Sequence, residues 1–168
     1  PSLPDDTFAV SLPSGVRYQQ KEITVADEAL GLLAMPGYGI EVPGVSIEDA
    51  ARQLMTEMWR AVMRSDLDRF RQLCPVAAGW NSALLAAAVG PLDEAHAVVE
   101  VLEVGPGVPR GHSRLGPVTV VTSRVRRRDG HAYEDKIIVQ HLLTGPTPRC
   151  VIYSGYGVAS YRLEQAER

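Results

Sequence analysis

The sequence predicts an α+β domain in which N-terminal helices pack on a strongly twisted antiparallel sheet. Apolar residues recur at three- and four-residue spacings from Ile47 to Val62, which marks one buried face of a helix. From Ala97 onward the apolar period falls to two, the signature of strands. Between two of the longest alternating runs stands Asp129-Gly130, a hairpin signal because a two-residue type I′ turn needs positive φ at both central positions.

The bulk properties fit a single globular unit. A chain of 168 residues buries roughly 70% of its unfolded surface, and 45% hydrophobic with 22% charged residues lies far from a disordered composition. The net charge of −3 supplies no overall attraction to nucleic acid or an anionic membrane. Lys21 and Lys136 are the only lysines among the basic residues. No apolar run approaches the ~20 residues needed to span a bilayer, so no membrane span is expected in this chain. The first residue is Pro1 rather than an initiator methionine. The expectation is therefore a processed chain or part of a longer one, with an extracytoplasmic or membrane-tethered setting left open. Cys74 and Cys150 are widely separated, and two buried thiols are expected in preference to a disulfide.

Three regions are predicted along the chain: a Pro/Gly-rich extension over 1–45, the α+β domain over 46–160, and a tail over 161–168. Within the extension, 16–25 is expected as a strand and 26–35 as a short helix, and the whole is expected to wrap or tether the domain. The helix after Ser46 carries the strongest start signal. Ser46 can accept from an otherwise unpaired backbone N–H, and Glu48 and Asp49 favour the positive end. Ile47, Ala50, Ala51, Leu54, Met55, Met58, Ala61 and Val62 form its apolar face. Ser65 restarts the signal for a second helix anchored by Leu67, Phe70 and Leu73 and stopped at Pro75. A third helix is expected over 81–89.

A strand covered on both faces is expected over 98–104, then a loop over 105–117. Two long strands, 118–128 and 131–143, follow around Asp129-Gly130. With those two residues as the loop, Arg124 faces Asp135, Arg126 faces Tyr133 and Val118 faces His141. A last strand is expected over 149–158.

The order of helix, helix, short helix and antiparallel strands resembles the NTF2-like superfamily of cystatin-like cones. The stretch AARQLMTEMWRAVMRSDLDRFRQLCP is similar to the family's opening helix pair, with Trp59, Ala61, Ser65-Asp66, Leu67 and Leu73 in the corresponding places. The resemblance spans about 46–158 and implies a conical pocket between helices and sheet. Its catalytic relatives, the SnoaL-like cyclases and ketosteroid isomerases, place an acid–base residue and a tyrosine in that cone. No such motif is found here, and the fold alone does not imply a reaction.

Tyr133, Asp135 and His141 share one strand face, and Trp59 lies on the helix that lines such cones. Trp59, Tyr133 and Asp135 are the candidate ligand-binding residues. Asp135 and His141 are six residues apart, about 20 Å along a strand at ~3.3 Å per residue, too far to act as a dyad. The simpler reading pairs Asp135 with Arg124 and packs Tyr133 on Arg126 near a wet hairpin tip. Arg124, Arg126, Arg127 and Arg128 form a basic cluster read as a solvated tip that discourages edge pairing. His96, His112 and His131 have no zinc-type spacing, so no metal is expected. Gly155-Tyr156-Gly157 lacks the third glycine and following helix of a dinucleotide loop, and no cofactor is expected.

The leading functional expectation is a non-catalytic accessory or protein-interaction domain of NTF2-like type, with a protein partner or a second copy as its target. The alternative is a SnoaL-like isomerase, cyclase or hydrolase, or a binding protein, for a hydrophobic small molecule held in the cone.

Overall fold

The computed structural model describes residues 27–79, 97–154 and 161–162. The chain runs through α1 (Asp27–Leu33), β1 (Ile40–Glu41), α2 (Ile47–Met63), α3 (Leu67–Leu73) and a 3₁₀ turn (Pro75–Ala77). The strands β2 (Val98–Val104), β3 (Val108–Ser113), β4 (Gly116–Arg127), β5 (Ala132–Leu142), β6 (Arg149–Ser154) and β7 (Tyr161–Arg162) follow. The three helices pack on a strongly curled antiparallel half-barrel sheet. The expected strand over 16–25, the helix over 81–89, and the residues His96 and Gly155-Tyr156-Gly157 lie outside the described residues.

The first long helix forms where the periodicity places it. Ser46 is its N-cap, and its hydroxyl accepts from the Asp49 N–H at 3.2 Å. Of the predicted apolar face only Ile47 is left half-buried. Leu54, Met55, Met58 and Trp59 are buried, each contributing roughly 1.5–3 kcal/mol of transfer free energy. At the second helix the cap is Asp66 rather than Ser65. The Asp66 carboxylate accepts from the Arg69 N–H at 3.0 Å, while Ser65 takes the left-handed φ of 54° that turns the chain between helices.

The sheet is built around the β4–β5 hairpin. β2 and β3 both pair with β4, along successive parts of one edge. β6 and β7 both pair with β5, and β1 closes that side by pairing with β6. The segment expected as a loop over 105–117 thus contains β3. Pro109 and Gly111 are tolerated in it because an edge strand leaves half its backbone groups without ladder partners. β2, expected to be covered on both faces, is instead half exposed, with Val99 at 44%. Its place at the sheet edge is the reason.

The hairpin register differs from the expectation by one residue. Asp135 faces Ser123, Tyr133 faces Val125, and Arg124 faces Glu134. The Arg127 N–H donates to the His131 carbonyl at 3.0 Å and the Gly130 N–H to the Arg127 carbonyl at 2.9 Å, so the loop has three residues, not two. Gly130 holds φ at 88°, and Asp129 has no positive φ. This is the type I turn followed by a left-handed glycine bulge, rather than a type I′ turn. One residue of slip carries a whole side-chain set to the other face.

Two apolar clusters fill the two faces of the sheet. Val121, Val125, Ile137, Val139, Cys150 and Ile152 pack against the helices. Val118, Leu142 and Val151 have the opposite strand parity and pack with Leu30 and Leu33 of α1. The N-terminal stretch is tied in by Arg149, whose guanidinium donates to the carbonyls of Ala34, Met35 and Tyr38 at 2.6–3.0 Å. Gly39 passes so close to the Cys150 carbonyl that a Cβ there would collide with it. Cys74 and Cys150 are both buried and form no disulfide. Among the described residues no helix is long and apolar enough to cross a membrane.

Candidate polar site on the concave face

The strand parity that buries Val121 and Ile137 also turns polar groups inward. Thr119, Ser123 and Arg127 of β4 and Asp135 and His141 of β5 are all less than a tenth exposed. Buried polar groups must find partners, and these find one another. The Trp59 indole N–H donates to the Ser123 hydroxyl at 2.8 Å. Ser123 faces Asp135 across the ladder. The Arg127 guanidinium donates to an Asp135 carboxylate oxygen at 3.4 Å and lies 4.8 Å above the centre of the Tyr133 ring. The Tyr133 hydroxyl donates to the Asp129 carboxylate at 2.6 Å.

Asp135 and Tyr133 are therefore joined through Arg127 in one polar cluster, and Trp59 is bonded to Ser123, which stands opposite Asp135 in the ladder. Their predicted partners are not in it. Arg124, expected opposite Asp135, projects from the other face, where Glu134 and Glu103 are its register partners. Arg126, expected against Tyr133, pairs with Glu100 at 3.2 Å instead. Arg127 takes both roles. The expected wet tip is thus partly interior, since Asp135 is only 2% exposed. Sequence reasoning missed Ser123, Asp129 and the inward placement of Arg127. Their signal was strand parity, which required the loop length.

His141 lies on the same face, well along β5 from Asp135. Its Nε2 is 2.9 Å from the Thr119 hydroxyl. Burial lowers its pKa to about 4, against a weaker opposing pull from the Glu48 carboxylate, so it stays neutral at ordinary pH. Next to it, on the opposite parity, buried Gln140 donates to the His141, Gly116 and Pro117 carbonyls and accepts from Ser113 at 2.9 Å. It ties the β3–β4 turn to β5. Among the described residues no group of His, Cys, Asp or Glu is arranged to hold a metal ion.

A second feature lies on the surface. A groove of about 450 Å³ runs between β1 and the polar flank of α2, lined by Ile40, Glu41, Gln53, Thr56, Arg60 and Arg69 among others. Glu57 forms a bridge at its side, pairing with Arg60 and, at 3.5 Å, with Arg69. The groove continues past Arg52 and Gln53 toward Gly44 and Val45.

Comparison with known proteins adds no identity: the chain matches no protein-family profile, no curated protein and no solved structure.

Proposed function

We propose that this chain is an NTF2-like accessory domain that works by holding a protein partner rather than by turning over a substrate in its cone. The supporting observation is the state of the inward polar groups. Trp59 is committed to Ser123, Asp135 to Arg127, and Tyr133 to Asp129. Asp135 is buried against the Arg127 guanidinium rather than presented to open space. His141, a further inward titratable group, is turned to Thr119 and stands six residues along β5 from Asp135, about 20 Å at ~3.3 Å per residue.

The same residues carry the second reading, in which an isomerase, cyclase, hydrolase or binding protein holds a hydrophobic small molecule. Trp59, Asp135 and Tyr133 converge on the concave face, where such a molecule would sit. The Trp59 indole N–H separates the two by NMR. Titration with a panel of apolar molecules, including a steroid and a polycyclic aromatic, is expected to leave that resonance in place. A saturable shift of it would establish the second reading.

A further inference from the structure

α1 depends on its surroundings to be a helix. It has seven residues, whereas isolated helices shorter than ~12–15 residues are marginal in water. Gly31 stands in its middle, exposed and with open space where a Cβ would lie, and a glycine there disfavours the helix. No basic side chain stands in its last turn to meet the terminal carbonyls. α3 has the same length but carries its own Asp66 cap and a basic Arg71 in its last turn. What α1 lacks, the sheet supplies. Leu30 and Leu33 pack with Val118, Leu142 and Val151, and Arg149 of β6 donates to the Ala34 and Met35 carbonyls just past the helix end.

The connection from α1 to β1 has one pinned glycine and one without close neighbours. Gly39, at φ 81°, abuts the Cys150 carbonyl, and its N–H donates to the Gln72 carbonyl at 2.7 Å. It is fixed to β6 and α3 at once. Gly37, at φ 84°, is exposed and has nothing within 4 Å of where a Cβ would stand. Arg149 bridges the two sides of Gly37. Its Nη1 donates to the Met35 carbonyl before it at 3.0 Å and to the Tyr38 carbonyl after it at 2.6 Å, and its Nη2 to the Ala34 carbonyl at 2.8 Å.

We infer that α1 is a latch, pivoting at Gly37 and locked by Arg149, that opens as a unit while the sheet stays folded. The three guanidinium hydrogen bonds exist together only in the closed form, and bonds with an ionised donor are the stronger kind. Opening uncovers the sheet face of Val118, Leu142 and Val151, none of them more than 4% exposed when α1 is closed. Elements that move are drawn from the low-stability end of a fold. A short helix held by two buried leucines and by one arginine of another element is such an element.

The test is native-state hydrogen exchange of the full chain followed by NMR. The Ala34 amide, which donates to the Leu30 carbonyl at 3.0 Å, reports α1, and the Val121 and Ile137 amides report the β4–β5 ladder. In the wild type Ala34 should be at least about ten-fold less protected than the ladder amides, with a rate nearly insensitive to low denaturant. Arg149→Ala should speed Ala34 by about ten-fold or more beyond any change in the ladder. Gly31→Ala, a solvent-facing change that favours the helix, should slow Ala34 several-fold and leave the ladder amides unchanged. The latch is overturned by a smaller difference in protection in the wild type, by an Arg149→Ala variant that speeds both sets equally or neither, or by a Gly31→Ala variant that slows both or neither. These rates are read without any ligand. A latch that fails leaves the accessory-domain reading standing, and an indole that responds to apolar molecules removes that reading without touching the latch.

Discussion

His141 shows how one buried side chain sets a pH dependence. Its folded pKa of about 4 lies below the ordinary 6.5 because burial disfavours the imidazolium. The unfolded chain therefore binds the extra proton between those values. Its contribution to stability is fully present above about pH 6.5 and is lost as pH falls toward 4. Denaturant midpoints at pH 7 and pH 5 should fall more in the wild type than in His141→Asn, which removes that titration. Cys150 gives a second residue-scale expectation. Burial raises its thiol to about 12, and only the thiolate is nucleophilic. Both Cys74 and Cys150 should resist a thiol-reactive disulfide reagent in the native state and react promptly once denaturant unfolds the chain. Whether Tyr133 and Asp135 share a face was legible in the sequence, because a strand alternates with a period of two. Which residues they meet was not, because Asp129-Gly130 serves both a two-residue loop and a three-residue loop with a glycine bulge.

At the scale of elements, glycines mark the places where geometry is tightest. Gly130 holds φ at 88° in open space, with no other group within 4 Å of where a Cβ would stand. Gly130→Ala should therefore cost only the backbone term, on the order of 1 kcal/mol. Gly107 is different. A Cβ there would stand 2.7 Å from the Ala51 methyl and 3.1 Å from the Thr119 hydroxyl, while its N–H donates to the Glu48 carbonyl at 2.9 Å. It docks the first turns of α2 against the β2–β3 connection. Gly107→Ala should lower the melting temperature more than Gly130→Ala; the reverse order would mean that the docking is looser than described. Ser46→Ala should cost ~1 kcal/mol through loss of the cap. α2 was readable because its periodicity persists over several turns. β3 was not, because Gly105, Pro106, Gly107 and Pro109 resemble a loop until β4 is there to pair with.

At the scale of the molecule, the sheet is a shared wall between two apolar clusters. Parity decides which residues face α2 and α3 and which face α1. The same parity gathers Trp59, Ser123, Asp135, Arg127 and Tyr133 on the helical side and leaves Arg124 and Arg126 on the other, so the register carries both the fold and the functional reading. Its most direct test is a pair of double-mutant cycles measured by chemical denaturation. Close, buried charge pairs couple by about 0.5–3 kcal/mol, and residues without contact add within ~0.5 kcal/mol. Arg127→Ala with Asp135→Ala should show coupling of about 1.5 kcal/mol or more, while Arg124→Ala with Asp135→Ala should be additive. Strong coupling of Asp135 to Arg124 and none to Arg127 would contradict the register, and with it the claim that the inward polar groups are committed to one another.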